Sequence, residues 1–141
     1  MKRRATPSRK PTRKRGYPHK FLPISEEMKE WSALLQTELN SWPAITTKSM
    51  FGFLFFYRRG AVFAALPRTK GFDSPSSLVF KFNPMPPHLT NRATADQRMN
   101  ASTKVTSKGW FSFNLTSDAD LRDALFWLNQ AYEAATKRTA R

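Results

Sequence analysis

The chain has no cysteine. That excludes disulfides, thiolate metal sites, iron–sulfur clusters and a cysteine nucleophile, and it fits a reducing compartment. Histidine is almost as scarce, with only His19 and His88. No HxH or HxxxH spacing exists to start a zinc site, which wants three or four converging ligands. The five glycines stand at 16, 52, 60, 71 and 109. They form neither GxGxxG nor GxxxxGK[ST], so no phosphate-cradling loop is expected. No apolar run approaches the ~18–20 residues that cross a bilayer. The charged N-terminus is not followed by the apolar stretch of a secretory signal. The expectation is a cytoplasmic protein with no membrane partner, no cofactor and no metal.

Acidic residues are also few, 10 against 24 Lys and Arg. Most of them stand at two helix starts, Glu26, Glu27 and Glu30 on one and Asp118, Asp120 and Asp123 on the other. Complementing the helix dipole accounts for both groups without catalysis. An enzyme would need a carboxylate in a cleft, near Asp73 or Asp96, and the poverty of titratable groups makes an enzyme the weakest reading.

What is present is positive charge, unevenly placed. Residues 1–20 contain nine Lys or Arg and no acid, so +9 of the net +14 sits there and residues 21–141 carry +5. A like-charged block repels itself and has too little apolar surface to fold. Pro7, Pro11 and Pro18 exclude a regular helix. The expected organisation is a disordered basic arm over 1–20 and one domain over 21–141. The aromatics lie mainly in that domain, with all 12 Phe and all 4 Trp.

Along the body, Ser25-Glu26-Glu27 reads as a capped helix start. Met28, Trp31, Leu35, Leu39 and Trp42 follow on one helical face, with Leu34 widening it. Asn40, Ser41 and Pro43 stop the helix. Ile45-Thr46-Thr47 is β-rich. The runs Phe53–Tyr57 and Ala61–Leu66 predict a hairpin turning at Arg59-Gly60, where glycine supplies positive φ. Leu78–Phe82 and Trp110–Leu115 alternate as half-buried strands. His88 to Met99 reads as weakly helical at best, and Asn100 to Lys108 as a mobile loop. Ser117 is the expected N-cap of a last helix carrying Leu121, Leu125, Leu128, Tyr132 and Ala135. Trp127 lies off that stripe, as a second packing surface or an exposed contact. The fold class is α+β: an antiparallel sheet with the N- and C-terminal helices packed on one face, preceded by the disordered basic arm.

The arm suggests a polyanion. Each Lys or Arg on a phosphate releases counterions, so affinity falls by about 0.9 log units per contact for each tenfold rise in salt on duplex DNA. Twenty flexible residues reach roughly 25 Å. The arm candidates are Lys2, Arg3, Arg4, Arg9, Lys10, Arg13, Lys14 and Arg15. On the body, Arg58 and Arg59 at the hairpin tip, with Arg68 and Lys70 in the next loop, are expected to form a basic edge beside Tyr57. The plainer readings are a solvated turn for Arg58-Arg59 and a solubilising tail for the arm.

The segment Thr47-Lys48-Ser49-Met50-Phe51-Gly52, the hairpin ending Gly60-Ala61-Val62-Phe63-Ala64, the strand Leu78–Phe82 and the helix Leu121…Ala124-Leu125…Ala131-Tyr132 together resemble the TfoX N-terminal domain and its YjbR-like relatives. The specific signature is Met50-Phe51-Gly52 plus the order of elements over about residues 25–136. Phe53 stands where the family usually has a second glycine. The resemblance implies a small α+β domain, a DNA-binding role suggested for YjbR-like domains, and no catalytic residues. It also implies that Met50 and Phe51 pack where the hairpin begins, and that Gly52 permits close backbone approach or an unusual φ. The expected function is a non-enzymatic binding or regulatory module that engages nucleic acid electrostatically through the arm and the basic hairpin edge. The alternative is a small-molecule or protein interaction module with an incidental arm, for which a protein partner or a homodimer through an edge strand is open.

Overall fold

The computed structural model describes residues 22–71, 74–82, 84–100 and 109–138. The expected arm, residue Asp73 and residues 101–108 of the expected loop 100–108 lie outside the described residues, and Asn100 itself is in a strand. Eight strands and three helices occur among those described. A short strand β1 (Leu22–Pro23) leads into α1 (Glu26–Asn40), followed by β2 (Ile45–Met50), β3 (Phe53–Arg58), β4 (Ala61–Pro67), β5 (Lys70–Gly71) and β6 (Ser77–Lys81). Then come α2 (Pro87–Ala95), β7 (Met99–Asn100), β8 (Trp110–Asn114) and a last helix, α3 (Asp120–Arg138). The main sheet has six strands in the order β2-β3-β4-β6-β8-β7, and every pair is antiparallel. β1 and β5 form a separate two-stranded ribbon.

Helix α1 starts where its cap chemistry dictates. The Ser25 hydroxyl accepts from the Met28 N–H at 3.1 Å. Met28, Trp31, Leu35 and Leu39 are buried, whereas Leu34 is 60% exposed and does not join the stripe. Helix α3 begins at Asp120, three residues beyond the expected cap Ser117. The Asp120 carboxylate reaches back instead, accepting from the N–H groups of Thr116 and Ser117 and from the Thr116 hydroxyl. The Trp31 indole donates to Asp118 at 2.6 Å, tying the middle of α1 to the approach to α3.

Both long helices cover one face of the sheet. Their apolar stripes meet Leu54, Phe56, Phe63, Leu66, Leu78, Phe80, Phe82 and Phe113 in a single core. Trp127 is fully buried in it, its indole parallel to the Phe80 ring at 5.9 Å, so the exposed-contact reading of this residue does not hold. Residues 87–95 form a full helix, firmer than the sequence pattern indicated. Pro87 suits a first helical turn, Leu89 and Ala93 enter the core, and Arg92 lies 3.9 Å from the centroid of the Phe126 ring. The opposite face of the sheet carries a smaller cluster, Phe53, Ala65 and Val79, with Phe55 and Trp110 packed against it.

Two consecutive two-residue turns build the β2–β3–β4 meander. Arg59 and Gly60 have φ of 52° and 84°, and Phe51 and Gly52 have 57° and 83°. Positive φ at both central residues is the mark of a type I′ hairpin turn. The first turn is the one expected at Arg59-Gly60. The second corrects the expectation that Phe51 packs: Phe51 sits at the turn tip and is 61% exposed.

Candidate nucleic-acid interface

Strand alternation decides where the basic residues go. Leu54, Phe56 and Arg58 share one face of β3, and that face is covered by α3. The Arg58 guanidinium lies over the Tyr132 ring, 3.9 Å from its centroid, and donates to the Tyr132 carbonyl at 3.1 Å. Glu133 stands 3.8 Å from it, and the Arg58 side chain is only 14% exposed. Arg58 is thus held inside the fold. Arg59, at the turn, is exposed.

Arg68 and Lys70 lie at the other end of the same hairpin, because Phe53 pairs with Pro67 while Arg58 pairs with Ala61. A six-residue strand separates the two ends by about 17 Å. The expected single basic edge of Arg58, Arg59, Arg68 and Lys70 is therefore not formed. The eight arm candidates, from Lys2 to Arg15, lie outside the described residues.

What the structure brings together instead is a group around the β2–β3 turn. The Gly52 carbonyl accepts from three successive backbone N–H groups, those of Arg68 (2.9 Å), Thr69 (3.0 Å) and Lys70 (3.3 Å). A Cβ on Gly52 would stand 2.6 Å from Lys70 Cγ and 2.9 Å from Thr69 Oγ1, so this position requires glycine for closeness as well as for φ. The wrap sets Arg68 and Lys70 beside the turn that carries Phe51. Arg68 donates to the Ser49 hydroxyl at 2.7 Å and is exposed, as is Lys48 on β2. Sequence reading chose Arg68 and Lys70 but missed Lys48 and Phe51. The readable signal was the pair Phe51-Gly52, a turn dipeptide between two β-rich runs.

Among the described residues the acids keep to the helical layer, whereas Lys and Arg occur in both layers. Of the ten acids, Glu26, Glu27, Glu30 and Glu38 are on α1, Asp96 follows α2, and Asp118, Asp120, Asp123 and Glu133 are on or just before α3. The tenth, Asp73, is outside the described residues. Among the described residues no strand contains an acid, while residues 45–71 contain Lys48, Arg58, Arg59, Arg68 and Lys70.

The acids near α3 are themselves engaged. Arg98 binds Asp96 (2.8 Å), Asp120 (2.7 Å) and Asp123 (2.8 Å) and lies 4.8 Å from the Phe113 ring centroid. The Arg98 guanidinium beside Asp96 holds that carboxyl below its usual range. Burial opposes the charged form of Asp120, yet its bonds from Thr116 and Arg98 outweigh burial and lower it too. The bonds to Asp96, Asp123 and Asp120 in turn raise the Arg98 pKa against the opposing effect of burial. Beside this cluster lies an open depression lined by Arg92, Ala95, Asp96, Gln97 and Arg98. Among the described residues no group of three or more acids or histidines is arranged to hold a metal ion, and no helix is long and apolar enough to cross a membrane.

No family model, curated protein or solved structure matches the chain.

Proposed function

We propose that the chain is a cytoplasmic, non-enzymatic, TfoX N-terminal-like or YjbR-like module that binds nucleic acid electrostatically. The observation that carries this reading is the division of charge. Among the described residues the acids are confined to the helices and their flanks, and the only charged residues of the strand and turn segment 45–71 are Lys and Arg. A polyanion is attracted to such a surface more strongly than to the helical side, where acids and cations are mixed. Residues 1–20 add nine Lys or Arg to the same sign of charge. Binding of this kind positions a phosphate backbone without reading sequence.

The test is fluorescence anisotropy on labelled DNA and RNA as salt is raised. The full chain is compared with a full-length variant in which Lys2, Arg3, Arg4, Arg9, Lys10, Arg13, Lys14 and Arg15 are all glutamine. Affinity is expected to fall steeply with salt, and the variant is expected to show a shallower slope, by about 0.7–0.9 per lost contact. Failure to bind either nucleic acid at low salt would reject the reading. A second reading, a protein-interaction module, is favoured by the half-buried Phe55 and Trp110 on the sheet face away from the helices. It would show salt-insensitive association with a protein partner, since apolar contacts are not screened.

A further inference from the structure

We propose that the β2–β3 turn is a contact point for single-stranded nucleic acid, with the Phe51 ring stacking on a base and Arg68 and Lys70 meeting the adjoining phosphates. This inference rests on the nucleic-acid reading above and gives it a place on the folded body.

Phe51 is unfavourable twice over within the fold. A bulky side chain at positive φ is strained, and a position like this favours Gly, Asn or Asp. The ring is also 61% exposed, and among the described residues it has no aromatic partner. Neither feature gains anything from the protein's own packing, so the gain lies in contact with something outside it. Backbone strain held by surrounding structure is a feature of binding sites. Here the surrounding structure is the three-fold bond to the Gly52 carbonyl.

The charges beside the ring specify the partner's chemistry. Arg68 and Lys70 stand against the turn, Lys48 lies three residues before Phe51 on the other face of β2 from Ser49 and Arg68, and no acid occurs between residues 45 and 71. Among the described residues none of the three forms an ion pair, and the hydrogen bond of Arg68 goes to a neutral hydroxyl. A flat apolar ring flanked by cations that pair with no described acid matches a polymer that alternates flat bases with phosphates. In a duplex the base faces are already stacked. In a single strand they are free to receive an aromatic ring.

The decisive variant is Phe51→Asn in the full chain. Asparagine tolerates positive φ, so the fold is retained and the melting temperature is equal to or above that of the wild type. Binding is measured by anisotropy on labelled oligo-dT and oligo-U of about 15 nucleotides, a length that fills one single-strand site, and on a duplex of the same length. Phe51→Asn is expected to weaken both single strands by about tenfold with the salt slope unchanged, and Phe51→Trp to keep the affinity. Arg68→Gln with Lys70→Gln is expected to lower the slope by about 0.7 per contact. The dT and U arms tell whether the site prefers a DNA or an RNA strand, the sugar and the thymine methyl taken together. Wild-type binding that Phe51→Asn leaves intact overturns this inference alone. A duplex bound more tightly than either single strand also overturns it. Absence of any nucleic-acid binding by the wild type removes the functional reading and this one together. Phe51-dependent binding to phosphatidylserine vesicles without oligonucleotide binding assigns the turn to an anionic membrane surface instead.

Discussion

Arg58 is held over the Tyr132 ring, its guanidinium 3.9 Å from the ring centroid and hydrogen-bonded to the same residue's carbonyl. A charge that the sequence offers to a ligand is spent on joining β3 to α3. Tyr132 in turn donates to the Pro43 carbonyl at 2.7 Å, so one side chain links the last helix to both the meander and the end of α1. Replacing Arg58 with alanine should destabilise the protein by about 2 kcal/mol, through the lost cation–π contact and charged hydrogen bond. It should change nucleic-acid affinity less than Arg68→Ala does. Chemical denaturation beside anisotropy checks both halves of the expectation.

Arg98 is the second internal cation, bound by three aspartates from two segments. Arg98→Ala leaves Asp96, Asp120 and Asp123 facing one another without a counter-charge. The side chain is 28% exposed, so the loss is softened by water, and about 2 kcal/mol is expected rather than the larger figure of a fully buried pair. Lys at this position should recover only part of it, because one ammonium cannot reproduce the forked geometry. Urea unfolding midpoints for the three proteins would rank them.

Acid should weaken the same region. Asp96 and Asp120 have folded-state pKa values below their ordinary 3.8. Groups depressed on folding add stability that is fully present above the unfolded value and is lost as pH falls through the folded value. The melting temperature is therefore expected to hold from neutral pH to about pH 5 and to drop below about pH 4. Asp120→Asn should start lower and show a flatter acid limb. A melting curve without an acid limb would count against the cluster as a source of stability.

The two turn glycines separate two kinds of cost. Gly60 has φ of 84° with nothing within 4 Å of where a Cβ would stand. Gly60→Ala should cost about 1 kcal/mol, the conformational penalty alone. Gly52 has the same φ and a Cβ position already crowded by Lys70 and Thr69. Gly52→Ala should cost at least about 1 kcal/mol more, since overpacking adds to the strain. Equal losses in the two variants would mean that the 68–70 segment yields easily.

The α+β arrangement was readable because its signals are local. Ser25 followed by acids, the 3-4 spacing from Met28 to Leu39, and the alternation Phe111, Phe113, Leu115 each report on their own element. Leu34 shows the limit of that reading: it lies beside the stripe in sequence, but the α1 face in contact with the sheet is narrower than the apolar pattern. The site failed for a different reason. Arg58 and Arg59 are neighbours in sequence, yet alternation sends one toward α3 and the turn leaves the other in solvent. The parity of Leu54, Phe56 and Arg58 already contained that answer. The wrap of residues 68–70 around Gly52 was not readable, because three backbone N–H groups meeting one carbonyl leave no trace in side-chain pattern.

That wrap also bears on how fast and how tightly the tip can engage anything. A loop that orders only on contact loses conformational entropy at the moment of binding, and affinity falls accordingly. Here the turn and the following segment are already locked to each other through the Gly52 carbonyl. The shape at Phe51 is set when the chain folds, so a ligand arriving there meets a rigid template and needs little rearrangement of the protein to form its first contacts.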